Sequence, residues 1–218
     1  MTRVITAEKL KDKIYFEKTK FSLLTELQSG KIFCTGLENG YVYMAYPYNP
    51  EAVSKFQEIA QRDEDTFFPL LIPDLRAMES LTSAASPELK LLATTFWPGP
   101  LNVVAPLLPG MNINLGASKP PSSVYCRVPS NKFLRELLGL IGPLIYATAP
   151  AISGKPARQV VDIAPNIKRQ IDVILDSGRC RYTKPATTVS FVTQPPKILR
   201  RGIIDEIKLR SVLQHLSD

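Results

Sequence analysis

Short apolar runs with the length of strands recur along the whole chain. They read KIFCT (31–35), YVYMAY (41–46), FFPLLI (67–72), LNVVA (101–105), VYCRV (124–128), PLIYATA (143–149), IDVILDSG (171–178), TTVSFV (187–192) and KILR (197–200). Each is rich in β-branched or aromatic residues, is bounded by turn residues, and carries no helical period. Between some of them stand segments with 3.6-residue spacing. Phe21, Leu24 and Leu27 precede the stop Gly30, and Asn49-Pro50 opens EAVSKFQEIAQ with Val53, Phe56, Ile59 and Ala60 on one face. Ser86-Pro87 opens a helix ending near Thr95, SNKFLRELLGLIG ends on its glycine, and residues 204–216 return to helical spacing. ARQVVDI (157–163) offers one more possible helix. Several neighbouring strands have no helix between them, which a purely parallel sheet would require. The chain therefore reads as α/β, with a twisted mixed sheet flanked by helices.

At 218 residues the chain can bury a substantial core in one domain. The pattern divides it into an N-terminal extension (1–19), the domain proper (20–204) and a C-terminal helical tail (205–218). No apolar run reaches the length of a membrane span, and MTRVITAEKLKDK lacks the apolar core of a signal peptide, so the expected place is the cytoplasm. Cys34, Cys126 and Cys180 are odd in number and widely spaced, which fits buried thiols and neither a disulfide framework nor a zinc site. The only histidine is His215, in the tail, so chemistry that needs a His pair or a Ser/Cys–His dyad is disfavoured. A net charge of +7 favours anionic partners such as nucleotide, phosphate or RNA.

Several strand ends carry hydroxyls, arginines or tight loops. WPGP (97–100) makes a rigid bend with an aromatic beside it. Arg127 lies inside an apolar strand, where an unpaired charge is costly; it either meets an internal carboxylate or binds an anionic ligand. The loop in YATAPAISGKPA (146–157) is made of small residues, and its backbone N–H groups with the Thr148 and Ser153 hydroxyls could hold phosphate oxygens, although it is not a P-loop. Thr187 and Thr188 open one strand, and Arg200 and Arg201 precede a glycine.

Taken in order, these blocks resemble the YrdC-like family, which includes threonylcarbamoyl-AMP synthases. FWPGPLNVV is similar to that family's Trp-Pro-Gly-Pro-Leu-Thr block, with Asn102 in place of Thr. Arg127 and Pro129 match its Arg-x-Pro-x-His segment, with Asn131 at the His position. PLIYATAPAISGKP matches the Ser-Thr-Ser-Ala-Asn-x-Ser-Gly block, with Ala149 and Ala151 at the second Ser and the Asn. IDVILDSG, Thr187-Thr188-Val189 and Leu199-Arg200-Arg201-Gly202 match the remaining blocks. The Pro-Thr-Glu-Thr-Val-Tyr-Gly-Leu block falls at ENGYVYMA, keeping Val42 and Tyr43, and the Lys-x-Arg motif falls at 60–62, keeping Arg62 alone.

The resemblance implies a YrdC-like fold with an open basic cleft. It also implies a reaction joining L-threonine, bicarbonate and ATP into threonylcarbamoyl-adenylate with release of pyrophosphate, with Mg²⁺ accompanying ATP. The product serves tRNA N6-threonylcarbamoyladenosine (t6A) modification, which implies tRNA and other proteins of that route as partners, and no membrane. Arg62 and Arg127 are then expected as catalytic anion contacts. Tyr43 is expected beside threonine, and Thr148, Ser153, Thr187, Thr188 and Arg200 around the nucleotide, with Lys155 or Lys184 able to replace the missing Lys charge. The alternative is a YciO-like protein that binds nucleotide or double-stranded RNA with weak or no synthesis.

Overall fold

The apolar segments pair into a single ten-stranded sheet. The computed structural model describes residues 2–63, 65–83 and 85–214. The strands are β1 (Arg3–Thr6), β2 (Phe33–Gly36), β3 (Tyr41–Ala45), β4 (Leu70–Leu71), β5 (Leu101–Pro106), β6 (Ser123–Arg127), β7 (Leu144–Thr148), β8 (Val173–Asp176), β9 (Thr187–Ser190) and β10 (Lys197–Arg200). Their spatial order is β1-β8-β2-β3-β7-β4-β6-β5-β9-β10. Pairs β1–β8, β2–β8, β4–β6 and β5–β9 are parallel and the rest antiparallel, so the sheet is mixed, as the missing crossover helices require.

Among the described residues seven helices accompany it: α1 (Lys13–Gln28), α2 (Pro50–Ala60), α3 (Leu75–Leu81), α4 (Pro87–Phe96), α5 (Lys132–Ile141), α6 (Pro165–Lys168) and α7 (Glu206–Gln214). Their starts follow from the sequence. Asn49, Ser86 and Asn131 each accept the N–H three residues on, and proline follows the first two at the first helical position.

The strands' two-residue period sorts side chains into two cores. On one face Cys34, Tyr43, Leu70, Val103, Cys126, Ile145 and Val189 pack with apolar residues of α2, α3, α4 and α7. On the other, α1 and α5 bury Leu23, Leu27, Phe133, Leu134, Leu137 and Leu138 against Ile5, Phe33, Met44, Leu71, Leu144 and Val173. This second core takes buried residues from β1, β2, β3, β4, β7 and β8 and none from β5, β6, β9 or β10. Among the described residues, half of one sheet face is thus left without a helix, and the candidate functional site lies there.

Four local expectations change. RVIT lies in the expected N-terminal extension, yet it adds β1 to the sheet edge through β8. The boundary expected at 19/20 falls inside α1, which starts at the cap Asp12. In FFPLLI only Leu70 and Leu71 enter the ladder, because Pro69 has no N–H to give it and Phe68 bonds instead to Leu115. The possible helix at 157–163 is one 3-10 turn over Val160–Asp162. Ala157 is drawn into extended pairing with Ala149 and Tyr41, and Asp162 accepts the Arg158 N–H.

The tail helix docks on the domain: Leu209 is fully buried and Lys208 lies 5.7 Å from the Phe96 ring centre. His215 lies outside the described residues. Leu209→Ala is expected to cost about 2–4 kcal/mol of stability, measured by urea unfolding, whereas a solvated tail would give no change.

Candidate functional site

The uncovered half-face is built by register. Thr188 stands opposite both Asn102 and Arg200, and Tyr125 opposite Val104, so these side chains point to one side while Thr187 and Val103 point to the other. Two hollows open here. A cavity of about 270 Å³ is lined by residues that include Asn102, Arg127, Tyr146, Thr148 and Arg200. Beside it a cavity of about 560 Å³ lies among Gly36–Glu38, Pro98–Pro100, Ser130, Asn131 and the strap 177–182.

Arg127 stands between the hollows and is 3% exposed. Its Nε–H donates to Gly99 O at 3.3 Å, Nη1 and Nη2 both donate to Asn39 Oδ1 at 3.2 Å, and Nη2 also pairs with the Glu38 carboxylate. The other Glu38 oxygen accepts Ser130 N–H at 2.7 Å. Burial alone would raise the Glu38 carboxyl, but the Arg127 guanidinium and the Ser130 N–H hold it below the usual glutamate range. Of the two fates open to Arg127 in the sequence, the structure shows the internal carboxylate. Gly99 earns its place in WPGP by close approach, since a Cβ there would sit 2.5 Å from Phe96 O. The block thereby brings a carbonyl to Arg127, and Trp97 Nε1–H locks the bend on Leu101 O at 2.8 Å.

A polar chain starts from the smaller hollow's lining. Tyr146 OH donates to Asn102 Oδ1 at 3.3 Å, Asn102 Nδ2 to Thr188 Oγ1 at 3.3 Å, and Thr188 Oγ1 lies 2.9 Å from Tyr125 OH. Burial pushes the Tyr146 phenol up to about 12, so it stays protonated as a donor. Arg200 closes the chain, exposed at the rim. The neighbouring Gly202 is fixed by sterics: a Cβ would lie 2.3 Å from Pro185 O and 2.6 Å from Thr187 N.

The structure brings Arg127, Thr148 and Arg200 to this hollow, with Thr188 outside the lining and bonded to Asn102, which is part of it. It does not bring the others there. The Thr187 hydroxyl is engaged with the Ile204 peptide, accepting its N–H at 3.0 Å and donating to its carbonyl at 3.3 Å. Ser153 is at the exposed tip of the 150–156 turn. Arg62 and Tyr43 belong to the opposite face: the guanidinium lies 5.5 Å from the Phe68 ring centre, and Tyr43 is buried 5.0 Å from Phe56. The small-residue loop also differs from its expected use. The N–H groups of Ala149, Ala151, Gly154 and Ala157 all bond within the chain, and Ala149 and Ala157 are fully buried against neighbouring backbone. Its smallness serves packing. Glu38, Tyr125 and Tyr146 went unnoticed in the sequence. The one available signal was alternation in VYCRV, which puts Tyr125 on the face of Arg127.

Among the described residues no group of three or more His, Cys, Asp and Glu side chains could hold a metal. No helix among them is long and apolar enough to cross a membrane.

The family model Sua5_yciO_yrdC, with the description "Telomere recombination", matches residues 25–202. The threonylcarbamoyl-AMP synthase of Pyrococcus abyssi is 28% identical over 180 residues, 81% of this chain and 52% of that protein. A crystal structure of P. abyssi Sua5 complexed with L-threonine superposes with a TM-score of 0.81 at 24% identity, covering 97% of this chain and 60% of that one. E. coli YciO gives a TM-score of 0.76 at 17% identity, over 94% of this chain and 98% of its own. This chain thus spans little more than half the length of the P. abyssi protein and nearly all of YciO, and both structures share its fold.

Removing one member of the Glu38–Arg127 pair leaves the other buried and unpaired. Glu38→Gln and Arg127→Gln are each expected to lose about 3–5 kcal/mol in chemical unfolding, with the double variant costing less than the sum. Because the Glu38 pKa is lowered by folding, its contribution is complete above the usual glutamate value of about 4.3 and fades as pH falls through the lowered one. The stability gap between wild type and Glu38→Gln should therefore narrow below about pH 4.

Proposed function

The chain belongs to the Sua5/YciO/YrdC family, and from that premise we propose that it makes threonylcarbamoyl-adenylate from L-threonine, bicarbonate and ATP, releasing pyrophosphate. The observation that carries the reading is the convergence of Arg127, Thr148 and Arg200, from three separated sequence blocks, on one hollow with no carboxylate in its lining among the described residues. The product fits transfer to tRNA in the cytoplasm, as the first step of t6A formation.

The nucleophile is supplied by substrate. The threonine amine and bicarbonate give a carbamate and water. A carbamate oxygen then attacks the α-phosphorus of ATP, and the bond from that phosphorus to the bridging oxygen of the departing pyrophosphate breaks. The protein therefore needs no Ser, Cys or His nucleophile. It must hold two anions in line and stabilise charge as it moves onto the leaving group. Arg200 is placed to meet phosphate oxygens with a fork of donors. Thr148 offers a hydroxyl in the same lining, and Arg127, saturated by its neighbours, holds the turn of Glu38 and Asn39 and the Gly99 bend in place. Glu38, the carboxylate closest to Arg127, already serves Arg127 and Ser130. Mg²⁺ fits as the companion of the ATP phosphates, where it neutralises their charge.

Purified protein is expected to release pyrophosphate only when ATP, L-threonine and bicarbonate are all present. Arg200→Gln should lower kcat/KM by about 10²-fold, the size of losing one preorganised donor. Nucleotide or RNA binding without turnover would overturn the reading in favour of the binding-only one.

A further inference from the structure

Among the described residues that line the smaller hollow, Arg200 is the cation with no carboxylate partner, and its direction depends on two contacts. Its Nε–H donates to Ala186 O at 3.0 Å, which fixes the stem end of the guanidinium. Its Nη2 donates to Tyr125 OH at 3.3 Å, which fixes the far end. The next residue shows the contrast: Arg201 is exposed and paired with Glu206 at 2.7 Å. Arg200 instead meets a carbonyl and a phenol, which direct it without neutralising it.

The phenol is itself held. Tyr125 OH lies 2.9 Å from Thr188 Oγ1, which accepts from the buried Asn102, which accepts from the buried Tyr146. The chain runs across adjacent strands through the register pairs Val104–Tyr125, Asn102–Thr188 and Thr188–Arg200.

We propose that Tyr125 is a positioning residue for Arg200. Its phenol aims the guanidinium at an anionic ligand oxygen in the hollow that Arg200 lines. The assignment rests on the reading of this hollow as the anion site. It predicts that Tyr125 acts through Arg200 and not through the packing of the sheet.

The test is a double-mutant cycle on inorganic pyrophosphate affinity, by calorimetry, with pyrophosphate-release kinetics alongside. Tyr125→Phe keeps the ring and removes the hydroxyl, so its thermal midpoint should stay within about 3 °C of wild type. Pyrophosphate affinity should fall about tenfold, the size of a hydrogen bond involving a charged group. KM for ATP should rise similarly, with kcat changing less. In an Arg200→Gln background the same substitution should change affinity less than twofold. Thr188→Val, which breaks the chain one step earlier, should weaken binding in the same direction and keeps the test open if Tyr125→Phe folds poorly. Unchanged affinity in Tyr125→Phe, an equal loss in both backgrounds, or no pyrophosphate binding by wild type would overturn the proposal. Coupled binding without turnover from ATP would uphold the role of Tyr125 while removing the synthase reading. Turnover with an additive cycle would do the reverse.

Discussion

The buried ion pair between Glu38 and Arg127 organises the site. A guanidinium 3% exposed is tolerable only because its donors meet Glu38, Asn39 and the Gly99 carbonyl. Those partners come from the turn between β2 and β3 and from the bend before β5, while Ser130, just before α5, holds the other carboxylate oxygen. One cation therefore joins three chain segments far apart in sequence, and the two hollows lie on either side of it. Its charge is spent on structure, which leaves Arg200 as the cation with donors to spare.

The second constraint is coverage of the sheet. Helices α2, α3, α4 and α7 close one face, and α1 with α5 closes half of the other. Polar side chains on the strands left over would be costly under a helix and are natural in a cleft. Asn102, Thr188 and Tyr125 stand there in a ladder-like row, each satisfied by the next. A polar row of this kind holds its geometry because each donor fixes the one beside it. Close backbone approach at Gly99 and Gly202 sets the walls, so those two glycines are steric requirements rather than points of flexibility.

Much of this was legible in the sequence. Strand-length runs without intervening helices require a mixed sheet, and capping residues mark the helix starts. Blocks around WPGP, Arg127, Thr148 and Arg200 foretell a site near strand ends. Which face a residue occupies was harder to read. Tyr43 shares a motif block with cleft residues and Arg62 has a block of its own, yet both fall on the opposite side, and Thr187 and Thr188 differ in role because a strand alternates. The partner of Arg127 was not legible, since Glu38 is 89 positions away and only tertiary packing brings it close. The small-residue loop invited a phosphate reading, but four of its N–H groups, at Ala149, Ala151, Gly154 and Ala157, are taken by the Tyr41 and Ala149 carbonyls and by its own turn. Small side chains admit a close neighbour, and here that neighbour is the protein's own backbone.

On the proposed reading, ATP and threonine meet in the hollow lined by Arg200 and Thr148, and not on the Arg62 face. A crystal structure with a non-hydrolysable ATP analogue and L-threonine tests it most directly. The account predicts phosphate oxygens within hydrogen-bond distance of the Arg200 guanidinium and the threonine in the same hollow, with the Glu38–Arg127 pair intact. Phosphates bound beside Arg62 and Tyr43, or an Arg127 released from Glu38 to grip them, would contradict it.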